Sequence, residues 1–345
     1  MNNRSGGPRS FYTVKRSNRE DRLRRRMQGR ITLLAICTTL LLLAVSGLVL
    51  FICDLAHNAP LWGDRTPTGD TEVAFQIATV ASSQYREGDL IVVNSSHVYS
   101  FPAQRLESMS ADAKLPYSLA QYRTKPDGAN YPYSLNLAKE QLLLPQAAQA
   151  LNLMLAQYYT IAGDAQIAVY DTYRSDKDQQ NTGSSVAAGY SEHHTALVVS
   201  LKVLAGSTYS DLSEAERPWL FQNCHAYGFI QRYPASKSGI TGVSNYTECF
   251  RYVGVPHATY IEQNNLCLEE YVNLLKNNHS TNDGSNVKML SIDTDGNGVA
   301  DYGVYYVPAN LSAELTALPV PVEKSYTVSG DNIGGFIVTV TLTQG

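Results

Sequence analysis

Residues 189–201, GYSEHHTALVVSL, set a polar Ser-Glu-His-His cluster directly before an apolar run. The spacing predicts a strand over 194–204. Ser191 and His193 stand where the entrance of a metal-binding strand would have them. Seven residues past His193, where a carboxylate would complete the ligand set, stands Ser200. Successive side chains of a strand point to opposite faces, so His194 is expected behind His193 and not as a substitute ligand. The stretch has the form of a metal-binding strand with its last ligand missing.

Outward from it, residues 165–175 (AQIAVYDTYRS) read as a buried strand running into a polar loop. Residues 213–229 open with a Ser213/Glu216 capping box and are predicted helical to near Gly228. Residues 251–256 read as a strand and 259–276 as an amphipathic helix. Residues 137–158 have helical composition, with Pro145 marking a start or a kink, and 88–94 (GDLIVVN) reads as a short strand entered from a turn. Past about residue 280, short alternating strands and turns suggest a small β-rich appendage. The expected class is α+β: a single domain with a small antiparallel sheet.

Charge is unevenly placed. Of 27 Lys/Arg and 31 Asp/Glu, ten and two fall in residues 1–30, leaving 17 and 29 beyond them. Between lie the 23 uncharged residues 31–53, long enough at ~1.5 Å per residue to cross a ~30 Å hydrocarbon core. The basic flank puts the N-terminus in the cytoplasm and the rest outside, on a single retained anchor in the cell membrane. A cleaved signal peptide is the rival reading, but no small-x-small site follows the run. Beside a span, the basic arm reads as topology and lipid contact, with no nucleic-acid partner expected. Residues 54–70 are Pro/Gly/Asp-rich and read as the start of a linker over 54–85. Outside the span, Cys224, Cys249 and Cys267 are an odd set, so one bridge at most is possible and its pairing is open.

Several pieces in order carry a resemblance: "DTYRS", "GYSEHH", "WLFQNCHAYGFIQRYP", Thr241-Gly242, "FRYVG" and "LCLEEY". Together they resemble the VanY-type zinc D-alanyl-D-alanine carboxypeptidases, with the domain expected over 86–278 and the β-rich module over 279–345. The resemblance implies a zinc held by His, Asp and His, a Glu as general base, and an Arg after the Tyr of "YRS" that binds the peptide's terminal carboxylate. Matched residue by residue, the first element reads S-x-H-x-x-G-x-A-x-D in the family. Here Ser191 and His193 are kept, Ala196 takes the Gly position and Ser200 the zinc Asp. The second reads E-P-W-H before an aromatic and R-Y-V-G. Counting back from Arg251, Cys249 takes the His position and Tyr246 the general base. Arg174 is kept, flanked by Tyr173 and Ser175.

One of four chemical positions survives. A tyrosine, neutral at pH 7, does not replace a carboxylate that accepts a proton from bound water. The expectation is therefore a membrane-anchored, extracytoplasmic pseudopeptidase without a cofactor, binding a peptidoglycan stem peptide or an envelope protein through Arg174, Tyr173 and Ser191. One alternative is an active metallopeptidase with zinc on His193, Cys249 and an unidentified third ligand. Another is a structural envelope protein with a vestigial cleft. Arg174 could equally pair with Asp171 or Asp176. Finally, Asp293, Asp295, Asn297 and Asp301 are spaced like a calcium loop but lack the closing Glu, and a plain hairpin turn is favoured over calcium.

Overall fold

The computed structural model describes residues 73–101, 117–125, 128–282 and 286–343. The basic arm and the 31–53 span lie outside them, and among the described residues no helix is long and apolar enough to cross a membrane. The strands are β1 (Phe75–Ala81), β2 (Tyr117–Ser118), β3 (Ser134–Leu135), β4 (Leu142–Leu143), β5 (Ile167–Asp171), β6 (Val198–Ala205) and β7 (Thr208–Asp211), then β8 (Phe229–Gln231), β9 (Cys249–Tyr252), β10 (Leu290–Ile292), β11 (Tyr302–Pro308), β12 (Leu315–Pro321), β13 (Tyr326–Gly330) and β14 (Gly335–Thr341). The helices are α1 (Leu119–Tyr122), α2 (Pro145–Ala162), α3 (Asp176–Asn181), α4 (Pro218–Asn223), α5 (Ser238–Thr241), α6 (Val255–Gln263) and α7 (Leu268–Asn278). The expected α+β class is observed.

The sheet that positions the site has the order β3-β5-β6-β9-β8, with β7 folded back on β6. Helix α2 starts where Pro145 fixes the first turn and stops at Gly163 in the left-handed region (φ 64°). Its Ala148, Leu151 and Leu155 pack on Val169, Val199, Leu201 and Phe250 of the sheet. Alternation along β6 then turns Val198 and Ser200 to the opposite face, where Val198 meets Cys249 and Tyr233. That second face carries the site.

Several sequence expectations change. The strand predicted over 194–204 begins only at Val198, because Glu192–Thr195 is a 3-10 turn. The Thr195 hydroxyl donates to the Glu192 carbonyl and accepts from the Leu197 amide, which holds the turn closed. Residues 90–93 are buried, but the segment 88–94 joins no multi-residue ladder. Its backbone groups go instead to Asp331, to the side chains of Ser329 and Asn332, and to the guanidinium of Arg251. The helix predicted from Ser213 begins at Pro218, after a turn in which the Arg217 amide bonds the Ser213 carbonyl. The predicted helix 259–276 is two helices, interrupted near Asn265 (φ 50°) and restarted by a Cys267/Glu270 capping box. Strand β9 stops at Tyr252, so Val255-Pro256 opens α6 and is not part of a strand.

The chain's β-rich end is also more integrated than an appendage. Part of the expected linker forms β1, which pairs antiparallel with β12 along its whole length. The sheet β10-β11-β14-β13 shares a core with α6, α7 and residues 90–92: Ile261, Tyr271, Val272 and Leu275 pack with Leu90, Val92, Val304 and Ile337. His257 ties this core together, bonding the Tyr271 hydroxyl at 2.7 Å and the Thr339 hydroxyl at 3.0 Å. Close approach makes Gly330 obligatory, since a Cβ there would fall 2.1 Å from the Tyr85 carbonyl oxygen.

Four buried charges join the two cores. Arg232 donates to Glu192 at 2.8 Å and forks onto Glu269 at 2.7 and 3.0 Å. Arg251 donates to the other Glu192 oxygen and to the carbonyls of Asp89 and Ile91. Burial alone would raise the Glu269 carboxyl, but the Arg232 guanidinium outweighs it and holds the group below its usual range. Removing one partner from such a set leaves an uncompensated buried charge, at about 3–5 kcal/mol. Glu192→Gln is accordingly expected to lower unfolding free energy by about that amount in urea denaturation. A loss below about 1 kcal/mol would show that the pairs are individually dispensable.

Candidate functional site

Strand β5 carries a bulge at Tyr170: Val169 pairs with Leu201, and Asp171 pairs with Ser200. On the other side Ser200 pairs with Cys249. Asp171, Ser200 and Cys249 therefore form one row across three adjacent strands, projecting from the face opposite α2. His193, from the 3-10 turn ahead of β6, and Tyr246, from the loop ahead of β9, complete the site.

His193 is buried, and both ring nitrogens are committed. Nδ1 lies 2.5 Å from the Thr172 carbonyl oxygen, so it carries the proton and donates. Nε2 is then the acceptor for the Tyr246 hydroxyl at 2.7 Å. Tyr246 and His193 thus form a neutral hydrogen-bonded chain to Thr172, with Ser200 in the strand row beside it. Burial pulls the His193 imidazolium down to about 4, against the opposing charge of Asp171, so the ring is neutral at pH 7. Burial, reinforced by Cys249, raises the Tyr246 phenol well above its usual range. Tyr246 is half-buried and stacks on Tyr233 at a centroid distance of 5.9 Å.

Arg174 projects from the loop after β5. Its amide donates to the His193 carbonyl at 3.2 Å, and its own carbonyl accepts from His194 Nδ1 at 2.7 Å. His194 Nε2 accepts from the Gly189 amide at 3.0 Å, so His194 is a buried brace behind the site, as its position next to His193 led one to expect. The Arg174 guanidinium donates through Nε and one terminal nitrogen to Asp171 Oδ2, at 2.9 and 2.6 Å, and through the other to Gln179 Oε1 at 2.8 Å. Of the two sequence candidates for a structural partner, Asp171 is the one engaged. Lys139 forms an ion pair with the other Asp171 oxygen. Ser191 is buried at the start of the 3-10 turn, and Tyr173 packs against the main core.

Could these residues hold a zinc ion? A structural or catalytic zinc needs at least three converging N, S or O donors. The metal-facing nitrogen of His193 is taken by a phenol, and Ser200 offers only a neutral hydroxyl. Burial, together with the Glu192 charge, raises the Cys249 thiol well above its usual range, so it is a neutral apolar group packed with Val198 and Tyr233. Among the described residues only Asp293, Asp295 and Asp301 converge as a metal-sized group, within 4.8 Å of one another. They belong to the loop joining β10 to β11, where Asp293 accepts backbone amides from Asp295, Gly296 and Gly298. The expected hairpin is present. The His193 site does not fit a zinc ion. Cys224, Cys249 and Cys267 are all free thiols, so the possible bridge does not form.

Sequence reasoning missed Lys139 and Gln179 as members of this cluster. The signal for Gln179 was its place five residues after Arg174 on a helix capped by Ser175 and Asp178. Lys139 gave no local signal.

With this geometry in place, comparison with known proteins decides the family. Residues 135–255 match the family model for VanY, D-alanyl-D-alanine carboxypeptidase. A D-alanyl-D-alanine carboxypeptidase of Enterococcus faecium is 31% identical over 272 residues, covering 77% of this chain and 79% of that protein. The chain belongs to the VanY D-alanyl-D-alanine carboxypeptidase family. A second such carboxypeptidase, from Enterococcus faecalis, is 41% identical over 116 residues, 33% of this chain and 42% of that one. The crystal structure of the vancomycin-resistance D,D-dipeptidase VanXYg, bound to a D-Ala-D-Ala phosphinate analogue, superposes with a TM-score of 0.59 at 23% identity, over 78% of this chain and 99% of that one. That likeness concerns the fold.

One family position also explains a local strain. Ala196, where the resemblance expects Gly, sits in the left-handed region at φ 57°, ψ 24° and is fully buried. An L-residue pays about 1 kcal/mol or more there relative to Gly. Ala196→Gly is thus expected to stabilise the fold by about 1 kcal/mol in a denaturant titration, and a destabilisation would mean that its methyl packs more strongly than the strain costs.

Proposed function

We propose that this chain is a non-hydrolytic member of its family: a cell-surface protein, anchored by residues 31–53, whose cleft engages the peptide termini of the cell wall without cleaving them. The observation that carries this reading is the Tyr246 hydroxyl on Nε2 of His193. It fills the valence a metal would need, at the position where the resemblance expects the general base. Hydrolysis of an amide needs an activated water and a group to move its proton. Here Ser200, Tyr246, Cys249 and His193 are all neutral at pH 7, and none of them is a base free to take a proton from water. What the site retains is recognition: Arg174, held by its backbone on both sides and partly open to solvent, beside Tyr173 and Ser191.

The orientation proposed places residues 69–345 outside the cytoplasmic membrane, where stem peptides ending in D-Ala-D-Ala are found in organisms that carry such carboxypeptidases. The test is release of D-alanine from an acetylated tripeptide ending in D-Ala-D-Ala, using the full chain in detergent with and without added zinc. No release above the buffer background is expected under either condition. Release that disappears in His193→Ala would overturn the proposal and make the chain a working carboxypeptidase.

A further inference from the structure

We infer that Arg174 and Lys139 form a carboxylate-binding site which Asp171 of the same chain occupies, so that a peptide's terminal carboxylate must displace this internal one to bind. The inference rests on the reading of the cleft as a peptide-recognition site, and it names what regulates that recognition.

Three features of the cluster support it. First, the donors are preorganised. Arg174 is fixed by both of its backbone bonds to the histidine turn, and Gln179 is fixed because its amide nitrogen donates to the Val186 carbonyl at 2.8 Å, which leaves its oxygen facing the guanidinium. An arginine oriented in this way presents parallel N–H groups suited to one carboxylate. Second, two cations converge on a single acid: Arg174 on Oδ2 and Lys139 on Oδ1 of Asp171. Both cations meet one carboxylate, whereas in the buried Glu192–Arg232–Arg251–Glu269 set two carboxylates meet two guanidinium groups. Third, the site is reachable. The Lys139 side chain is 34% exposed and those of Arg174 and Asp171 are 14% and 12% exposed. Arg232 and Arg251, by contrast, are fully buried.

The internal occupant depends on the bulge at Tyr170. That extra residue brings Asp171 into line with Ser200 and Cys249, at the end of β5 and three residues before Arg174. The carboxylate is held by its bonds to Arg174 and Lys139, and these are the bonds a ligand carboxylate would take over. A ligand carboxylate would take its place on Arg174, with the chain of the peptide running over the Tyr246 phenol. Since Tyr246 closes the metal position, binding there leads to no reaction.

The experiment is calorimetric binding of the acetylated tripeptide ending in D-Ala-D-Ala, and of its C-terminal amide, to the full chain in detergent. Asp171→Asn keeps the shape and removes the competing charge. It is expected to raise affinity for the acid on the order of tenfold over wild type while leaving the amide unchanged, and Arg174→Ala added to it should abolish the gain. Equal affinity of wild type and Asp171→Asn for the acid would overturn the inference. So would an equal gain for the amide. Should Asp171→Asn lose its cooperative unfolding transition, Asp171→Ser carries the same comparison. D-alanine release is followed on the same samples. Release by wild type would defeat the non-hydrolytic reading and leave the affinity comparison standing, whereas unchanged affinity with no release defeats only the internal occupant.

Discussion

The contact on which the rest of this structure depends is the pair of bonds from Glu192 to Arg232 and Arg251. Glu192 belongs to the turn that presents His193; Arg232 follows β8 and Arg251 lies in β9. Two fully buried guanidinium groups are tolerable only because two carboxylates and three backbone carbonyls meet them. Through Arg251 the set reaches residues 89–91, and through Glu269 it reaches α7. It therefore fixes the histidine turn to both cores at once. The position of the site's histidine turn follows from this.

Within that frame the substituted positions of the site face are filled by groups that are neutral at pH 7. The face holds a neutral hydrogen-bonded chain, Tyr246 to His193 to Thr172. Each buried polar atom in that chain has a partner, which avoids the penalty of an orphaned donor or acceptor. Cys249, beside it, contributes apolar packing. The three altered positions thus form a consistent set: the phenol needs an acceptor in His193 and a small polar neighbour at 200. A single reversion would leave a mixture that satisfies neither chemistry.

Much of this was legible in the sequence. The α+β class and the hairpin at Asp293–Asp301 follow from local composition and turn chemistry; the helical composition of 137–158 left Pro145 as a start or a kink, and the structure makes it the start. The family followed from spaced motifs, above all "RYP" and "FRYVG". The strand boundary before β6 was misread because an apolar run looks extended from Thr195 onward, while the closing bonds of Thr195 and the left-handed Ala196 are tertiary facts. The segment 88–94 looked like a strand for the same reason: β-branched residues mark burial, and only the distant Ser329, Asp331 and Arg251 decide where its backbone bonds go. The ion set was invisible, since nothing local tells a buried Arg232 from an exposed one. The substituted positions were readable one by one. That Tyr246 reaches Nε2 of His193 was not.

The central claim, that three side chains and not the scaffold ended the metal chemistry, is tested most directly by zinc content. Full-length wild type and the triple variant Ser200→Asp, Tyr246→Glu, Cys249→His would be purified without a metal-binding tag, equilibrated with micromolar zinc, desalted and measured by elemental mass spectrometry. The account predicts less than about a tenth of an equivalent in wild type and close to one in the variant, whose ligand set then satisfies tetrahedral zinc with an open position. Near-stoichiometric zinc in wild type, lost on His193→Ala, would contradict it.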